Sequence, residues 1–309
     1  MTTIAVVGSL NCDLVSRVER LPAPGETVSA TSFHTFVGGK GCNQAIAAAR
    51  ASLPGVTVAM VGKVGRDGFA STVRQKLAEA GVDASHVAVD PVAATGVATI
   101  TVDDDGQNSI VVAPNANGLL TETDVEAARE LIEGASVVLL QLEIPIATVV
   151  RAATLAKRGR ALVILVPAPA RATLPDELYR SVDVLVPNEV EAVTLAGRAA
   201  SASDAEVAAA LRARGPAAVI VTLGARGARL ASSAGAELLP APPVHAIDTT
   251  GAGDAFAGAL AAELASGAGM KEAVKFAVAA GAAACTTLGA EPSLPQREAI
   301  LAIANRDWG

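Results

Sequence analysis

The sequence predicts an α/β fold in which a doubly wound, mostly parallel sheet is flanked by helices. Two features indicate this class: short runs of β-branched and apolar residues bounded by Gly or Pro, and Ala-rich amphipathic stretches between them. This alternation is typical of strand and helix units stacked on a parallel sheet. A length of 309 residues allows two ordinary domains or one large unit, and we expect a single domain over residues 1–309.

Six runs are candidate strands of the main sheet, and the first of them lies near the start of the chain. They occupy residues 4–8, 56–61, 137–142, 162–166, 182–186 and 218–223. We expect helices in the intervals between them, with the longest pair toward the C-terminal end.

Two segments do not follow the alternation of strands and helices. Residues 27–37 and 95–113 are β-branched or have a period of two, and the second contains a turn at residues 103–106. They suggest a separate small sheet, contributed by about residues 12–38 and 93–115, that forms a lid over the carboxyl edge of the core. The alternative is an edge hairpin that extends the main sheet, and periodicity does not separate the two.

The composition argues against several classes of function. Lys and Arg total 24 against 31 Asp and Glu, a net charge of -7, so there is no basic surface to hold nucleic acid. The mean hydropathy of +0.43 comes mostly from Ala. The richest apolar stretch, residues 251–270, contains Asp254 and Glu263, so we expect no transmembrane helix and no membrane partner.

The cysteines and histidines bear on location and chemistry. Cys12, Cys42 and Cys285 are widely spaced and form no Cys-x-x-Cys pair, and the three histidines are scattered. This pattern favours a reducing, cytoplasmic setting and argues against a His-based metal site or a Ser-His-Asp triad. The first residues also lack the basic segment and apolar core of a signal peptide.

The most informative stretch is a small-residue turn that opens a long Ala-rich helix. Gly251, Ala252 and Gly253 would leave backbone N–H groups free at the helix N-terminus, which makes an anion cradle. Asp254, in the first turn, is well placed to take a proton from a hydroxyl that attacks a phosphorus held there. The alternative is an Asp that favours the helix dipole beside a tight turn, and this stretch taken alone slightly favours it.

Two other polar clusters could contact a ligand. The run at residues 38–43 precedes an Ala-rich helix, and its Lys40 and Asn43 offer donors to hydroxyls or phosphate, although a flexible connection is the alternative. Asn11 and Asp13 follow the first strand, at the edge where open α/β sheets bind ligands. They can bracket a vicinal diol or serve an ordinary turn.

Two further motifs could contact a nucleotide, and each also has an ordinary structural explanation. Asn188 and Glu191 form a capping box pattern, or Glu191 holds Mg²⁺ through water. Thr222, Gly224 and Gly227 end a strand, where the glycines admit a nucleotide or serve a strand-to-strand turn. The sequence contains neither a Walker A loop nor a dinucleotide fingerprint.

In this order, these motifs resemble the pfkB family of carbohydrate kinases, and its ribokinases in particular. The most specific matches are residues 38–45 and 248–254, with residues 141–143 and 167–170 between them. The resemblance covers nearly the whole chain. It implies a ribokinase-like fold and the transfer of the γ-phosphoryl group of ATP to the 5-hydroxyl of D-ribose. It also implies that the lid closes over the sugar and pairs with a second subunit in a homodimer.

The resemblance implies a role for each motif. Asp254 would be the base, and the amides of Gly251, Ala252 and Gly253 would stabilise the developing charge. The sugar-binding positions of the family are matched by Asn11, Asp13, Gly39, Lys40, Asn43 and Glu143. Its ATP and Mg²⁺ positions are matched by Asn188, Glu191, Thr222, Gly224 and Gly227. Its monovalent cation site, usually for K⁺, is matched by Asp248, Thr250, Ala284, Thr287, Gly289 and Ser293.

The chain departs from the ribokinase pattern at a few positions. Val166 stands where Asn is usual near the phosphate path, and Val278 stands where relatives often place Asn or His against adenine. Residues 114–117 replace the more usual lid sequence, and Cys42 replaces a small Ala. Two alternatives therefore stay open: a kinase of the same family with another sugar or a nucleoside as substrate, and a sugar or nucleotide sensor without catalysis.

Overall fold

The computed structural model describes residues 2–199 and 201–306. In chain order its strands are β1 (Thr2–Val7), β2 (Asn11–Arg17), β3 (Ser32–Gly38), β4 (Val56–Val64), β5 (Asp83–Val89), β6 (Gly96–Val102), β7 (Asn108–Ala113), β8 (Val137–Leu140), β9 (Leu162–Leu165), β10 (Val184–Leu185), β11 (Ala218–Thr222), β12 (Ala228–Ser232) and β13 (Gly235–Leu239). Its α-helices are α1 (Lys40–Ala51), α2 (Gly68–Glu79), α3 (Glu122–Ala127), α4 (Arg129–Gly134), α5 (Ile146–Arg158), α6 (Asp176–Ser181), α7 (Glu189–Ala196), α8 (Asp204–Arg212), α9 (Ala252–Ala265), α10 (Met270–Ala284) and α11 (Arg297–Ala304).

The main sheet has nine strands in the order β13-β12-β11-β10-β9-β8-β1-β4-β5. Its pairs are parallel except where β12 joins β11 and β13. After β1, the chain adds β4 and β5 on one side of it. It later adds β8 and the following strands on the other side. The boundary between β1 and β8 is therefore the topological switch point, and ligands bind at the carboxyl ends of strands there.

The strands of the main sheet form because both of its faces are buried. Ile4 and Val6 of β1 belong to one hydrophobic cluster, and Ala5 and Val7 belong to the other. Successive side chains of a strand point to opposite faces, so a continuous apolar run fills both clusters at once. The first cluster packs α1, α9 and α10 against the sheet, and the second packs α5.

Small residues bring α1 and α9 unusually close together. A Cβ atom placed on Gly258 of α9 would lie 2.5 Å from Cβ of Ala47 in α1. Only a glycine permits this approach, and it sets the N-terminal ends of the two helices beside each other at the carboxyl edge of the sheet.

The small sheet has four strands in the order β3-β2-β6-β7. It is separate from the main sheet, so the edge-hairpin alternative is wrong. The turn expected at residues 103–106 is present, with Gly106 N donating to Asp103 O at 3.0 Å. Residues 27–31, expected to be extended, lie outside the strands, because β3 begins only at Ser32.

All six candidate strands of the main sheet are confirmed. They correspond to β1, β4, β8, β9, β10 and β11. Among the helices of residues 2–199 and 201–306, α9 and α10 are the longest, at 14 and 15 residues, as expected. No helix in this described part of the chain combines the length and apolarity needed to cross a bilayer. The assignment of residues 1–309 to a single domain stays a prediction.

Candidate active site

Asp254 lies at the centre of the polar groups gathered at the switch point. It is the third residue of α9, and Gly251 caps this helix in the left-handed conformation, with φ of 80°. Its Oδ2 accepts a hydrogen bond of 3.1 Å from Asn43 Nδ2, and its Oδ1 accepts one of 2.9 Å from Gln44 Nε2. Burial raises the pKa of Asp254, although Lys40 and these two amides oppose the rise.

The helix N-terminus beside Asp254 offers backbone N–H groups to an anion. No hydrogen bond among the described residues uses the N–H of Gly251 or Gly253. The N–H of Ala252, which we expected to be free, instead donates to Thr249 O at 3.2 Å. Two of the three amides are therefore available to a ligand before any rearrangement.

Asp13 projects from β2 into the same site. A Cβ atom on Gly38 of β3 would lie 2.1 Å from Asp13 Oδ2, so the facing strand leaves room for this carboxylate only because it carries a glycine. Burial and the charges of Glu143 and Asp254 raise the pKa of Asp13 to about 7. The site thus holds several carboxylates at close quarters.

Glu143 and Lys40 link the ends of β8 and β3. Glu143 Oε2 accepts hydrogen bonds from Ser9 Oγ at 2.5 Å and from Lys40 N at 2.9 Å. Burial alone would lower the pKa of Lys40, but the negative charges of Asp254, Glu143 and Glu191 raise it. The ammonium group of Lys40 is therefore the cation that balances the carboxylates of the site.

Asn11 is fixed by a residue beyond the lid strands. Its Oδ1 accepts a 2.7 Å hydrogen bond from Asn117 Nδ2. Asn117 is buried and also bonds to the backbone of Leu10, accepting from its N–H at 2.9 Å and donating to its carbonyl at 3.1 Å. A Cβ on Gly96 would lie 2.2 Å from both amide side chains.

A large cavity adjoins the N-terminus of α9. Its volume is about 760 Å³. Four of the five positions predicted to bind ATP and Mg²⁺ line the cavity, together with Val278 and small residues of the helix N-terminus; these lining residues are Asn188, Thr222, Gly224, Gly227, Ala252, Gly253 and Val278. The fifth position, Glu191, is not among the residues that line it. The cavity is large enough for a nucleotide, and Gly253, whose N–H is free, is one of the residues that line it.

The structure gives the predicted nucleotide residues local roles as well. Asn188 and Glu191 form the capping box of α7, each side chain bonding to the backbone N–H of the other at 2.9 Å. Gly227 sits in a strand-to-strand turn, where a Cβ would lie 2.0 Å from Leu239 O. These are the ordinary roles that the sequence left open, and they leave the binding roles untested.

Of the six residues predicted to hold a monovalent cation, five lie on two segments joined by Asp248, and the sixth, Ala284, is the last residue of α10. Its Oδ1 accepts from Thr250 N at 2.9 Å and Thr250 Oγ1 at 2.7 Å, and its Oδ2 accepts from Gly289 N at 2.8 Å. Ser293 Oγ donates to Thr250 O at 3.3 Å, and Thr287 N donates to Ala284 O at 3.2 Å. The loops present carbonyl and hydroxyl oxygens, which suit a hard cation.

Comparison with known proteins identifies the family. The sequence profile of the pfkB family carbohydrate kinases matches residues 1–297. This chain belongs to the pfkB family of carbohydrate kinases. It is 37% identical over 301 residues to a ribokinase of Haemophilus influenzae, covering 97% of each chain. The structure of Arabidopsis thaliana ribokinase complexed with ribose and ATP superimposes with a TM-score of 0.89, at 32% identity and 99% coverage of both chains.

One longer relative contains a similar sequence within a larger protein. The chain is 40% identical over 311 residues to a bifunctional ribokinase/ribose-5-phosphate isomerase A of Fructilactobacillus sanfranciscensis. It spans 57% of that relative and matches 99% of its own length. The similarity to this relative therefore concerns only part of the longer protein.

In this pfkB kinase, the structure brings the predicted sugar and base residues together and adds four that the sequence analysis did not assign to the site. The additions are Ser9, Gln44, Asn117 and Gln141. Gln44 and Gln141 lie within motifs that carried the resemblance, Ser9 follows the first strand, and Asn117 lies in the segment where the chain departs from the family pattern. Each acts on another side chain, so its motif alone gave no sign of its contact.

Proposed function

We propose that this kinase transfers the γ-phosphoryl group of ATP to the 5-hydroxyl of D-ribose, giving D-ribose 5-phosphate and ADP. The ribokinase of Haemophilus influenzae aligns over 97% of its length, and that of Arabidopsis thaliana was solved with ribose and ATP. The observation that carries the proposal is the position of Asp254. It stands at a helix N-terminus between a nucleotide-sized cavity and a polar cluster suited to a small polyol.

The chemistry follows from this position. Asp254 accepts the proton of the 5-hydroxyl while the hydroxyl oxygen bonds to the γ-phosphorus. The bond from that phosphorus to the bridging oxygen of ADP breaks, and ADP leaves with the electron pair. The amides of Gly251 and Gly253 and the positive end of α9 stabilise the charge on the transferring group, with Ala252 joining them if its turn opens.

The sugar binds between the small sheet and α1. Asn11 and Asp13 present an amide and a carboxylate from β2, which suit adjacent hydroxyl groups. The remaining contacts come from the ends of β3 and β8 and from α1, at Gly39, Lys40, Asn43 and Glu143. The amide oxygen of Asn43 is buried without a partner. A buried acceptor of this kind is costly when unpaired, and a sugar hydroxyl would satisfy it.

ATP would lie in the cavity beside α7 and α9. Thr222, Gly224 and Gly227 form its wall, and Val278 packs against the base. Asn188 and Glu191 would hold Mg²⁺, with Glu191 acting through water. Glu191 is buried at the edge of the carboxylate cluster, and burial raises its pKa; a divalent cation would favour its ionised form. When bound, Mg²⁺ neutralises charge on the phosphates.

The loops joined by Asp248 would hold K⁺. The ligands would be oxygen atoms of these loops and of the end of α10, several of them backbone carbonyls; they would come from Asp248, Thr250, Ala284, Thr287, Gly289 and Ser293. These loops flank the cap of α9, since a Cβ on Gly251 would lie 3.0 Å from Ala290 O and 3.1 Å from Ser293 Oγ. A cation there would fix the position of the amides that face the phosphoryl group.

The lid would join two copies of the chain. β7 is an edge strand of the small sheet, and Ile110, Val111 and Val112 are 53%, 66% and 52% exposed. An apolar edge of this kind is normally covered, and a second copy of the lid is the occupant we propose. Analytical ultracentrifugation should give a dimer for the natural sequence and a monomer for Val111→Asp.

We place the enzyme in the cytoplasm, where its cysteines would stay reduced.

The proposal is tested by measuring ADP release with Mg²⁺ and K⁺ over a panel of ribose, 2-deoxyribose, fructose and adenosine. The proposal is supported if turnover with ribose is clearly faster than turnover with the other three compounds. Turnover with another member of the panel would indicate a kinase of the same family with a different substrate. No turnover, with ribose still binding in calorimetry, would indicate the sensor suggested by Val166 and Val278.

A further inference from the structure

Two glutamines form a buried chain of hydrogen bonds that ends on Asp254. Gln141, which follows β8, donates from Nε2 to Gln44 Oε1 at 2.6 Å, and Gln44, on α1, donates from Nε2 to Asp254 Oδ1 at 2.9 Å. Both glutamines have an exposed fraction of 0%. Residues of three separate elements are thus joined in one line, and none of these contacts involves the sugar positions themselves.

The chain has a direction, because each amide has one donor end and one acceptor end. With the Asp254 carboxylate ionised, Gln44 must turn its NH₂ group toward it, which leaves the Gln44 oxygen to accept from Gln141. Reversing either amide would set two oxygens or two NH₂ groups face to face. The ionised state of Asp254 and the orientation of both glutamines therefore support one another.

This arrangement has a cost that simple packing would avoid. Gln141 Oε1 is buried and has no hydrogen-bond partner, a situation that destabilises a protein. A Cβ on Gly8 would lie 2.0 Å from this oxygen, so the polypeptide also needs a glycine at position 8 to make room for the Gln141 side chain. An apolar pair of similar size would fill the space without leaving a buried acceptor unpaired.

We propose that Gln44 and Gln141 are positioning residues that hold the carboxylate of Asp254 ionised and oriented toward the sugar hydroxyl. The proposal rests on the proposed role of Asp254 as the base. Gln44 acts directly on Asp254, and Gln141 acts only through Gln44.

The charges around Asp254 make such support necessary. The side chains that act on it electrostatically are Lys40, Asp13, Glu143 and Glu191. Three of these four are acidic and disfavour a further negative charge at Asp254, and burial acts in the same direction. The amides of Asn43 and Gln44, with Lys40, are what oppose them.

The decisive variant is Gln44→Met, which keeps length and approximate volume but removes the donor. We expect kcat to fall roughly tenfold, because the Asp254 carboxylate loses a hydrogen bond that favours its ionised form and fixes its orientation. The acid limb of the kcat/KM profile should move upward by about one pH unit. Ribose affinity should stay within about threefold. Gln75→Met, the same change on the exposed face of α2, is the matched control.

The order of the hydrogen bonds, from Gln141 through Gln44 to Asp254, gives a second test. Gln141→Met should move the acid limb upward as well, but by less than Gln44→Met does. The double variant should show the same shift as Gln44→Met alone, because Gln141 acts only through the Gln44 amide, which the first substitution removes. Independent, additive shifts from the two substitutions would overturn the proposed order. An unshifted acid limb in Gln44→Met would overturn the proposal, whatever happens to kcat.

A readout without turnover separates this proposal from the proposed function. The carboxyl carbon of Asp254 can be titrated by NMR in ¹³C-labelled protein, with the signal assigned by its loss in Asp254→Asn. A higher pKa of Asp254 in Gln44→Met than in the natural sequence supports the positioning role even if no sugar is phosphorylated. Equal pKa values would overturn it even in an active kinase. If Gln44→Met does not fold, the same comparison with Gln141→Met decides.

Discussion

Asn117 Nδ2 donates a 2.7 Å hydrogen bond to Oδ1 of Asn11, a residue 106 positions earlier in the chain. Because the oxygen of Asn11 is used in this way, its NH₂ group is left to face the proposed sugar site. Asn117 also pairs with both backbone groups of Leu10. The turn after β7 therefore sets the orientation of a side chain at the start of β2, and it ties the end of the small sheet to the proposed sugar site.

We predict that Asn117→Ala weakens ribose binding. The substitution frees the Asn11 amide to rotate and leaves the Leu10 N–H buried without an acceptor, at a cost of about 1–3 kcal/mol. Calorimetric titration should show ribose affinity lower by roughly tenfold, and thermal unfolding should occur at a lower temperature. Asn108→Ala, in exposed β7, should change neither quantity. Unchanged ribose affinity in Asn117→Ala would remove Asn11 from the sugar site.

Asp254→Asn should remove the base while keeping the shape of the site. We expect turnover to fall by roughly 10²–10⁴-fold, the usual contribution of a positioned general base. Ribose and ATP affinities should change little, because the amide fills the same space. The measurement is steady-state ADP release alongside calorimetric binding of each substrate. Turnover equal to that of the natural sequence would show that another group takes the proton.

Much of this arrangement was predictable from the sequence, and the reasons are local. Strands such as β8 and β9 are buried on both faces and so appear as unbroken apolar runs. Asp254 and the helix N-terminus share one short motif. β2 was harder to identify, because Asn11 and Asp13 give its first residues the composition of a turn.

The contacts that the sequence did not predict join distant residues. Gln44 and Gln141 are 97 positions apart, and Asn11 and Asn117 are 106 apart. No periodicity or spacing encodes a pairing at such a distance. The first pair depends on how β8 and α1 are placed side by side, and the second depends on how the turn after β7 meets the start of β2. The Thr249 carbonyl that occupies the Ala252 amide is a detail of turn geometry that composition alone does not determine.

Asp13 should make the ligand-free protein less stable at high pH. Its pKa rises from an ordinary 3.8 to about 7 on folding. The folded protein therefore binds the Asp13 proton more tightly than the unfolded chain does. The stability that this gives is fully present below pH 3.8 and is lost as the pH rises through 7. We predict that Asp13→Asn raises the unfolding temperature at pH 8 by at least about 2 °C, and by much less at pH 4.5.

The same substitution should weaken ribose binding, because the charged acceptor is lost. Scanning calorimetry of the ligand-free protein at both pH values, with Asp105→Asn in the exposed lid turn as the control, checks the stability effect. A gain of equal size at pH 4.5 and pH 8 would show that ionisation of Asp13 is not its cause.

Replacing K⁺ with tetramethylammonium should slow the reaction. An organic cation is too large for the oxygen atoms of the loops around Asp248, so the cap of α9 would lose its support. We expect the rate to fall about fivefold or more, equivalent to about 1 kcal/mol in the barrier. Adding tetramethylammonium chloride to a K⁺ buffer of matched ionic strength controls for inhibition. A rate that does not depend on the cation would rule out this site.

The glycine that faces Asp13 should be essential, although it has no side chain to contribute. In Gly38→Ala the new methyl group would meet Asp13 Oδ2 at 2.1 Å. Asp13 would then have to leave the site, or β2 and β3 would have to separate. We expect ribose affinity to fall at least about tenfold, or stability to fall by about 1–3 kcal/mol.

Gly68→Ala is the matched control for this change. A Cβ on Gly68 meets nothing within 4 Å, and the residue begins α2, where Ala is a better helix former by up to about 1 kcal/mol. We expect it to keep full activity and equal or greater stability. Ribose titration and thermal unfolding of the two variants, measured together, check both effects. If Gly38→Ala binds ribose as well as Gly68→Ala does, the Asp13 carboxylate is not held against β3 when the sugar is bound.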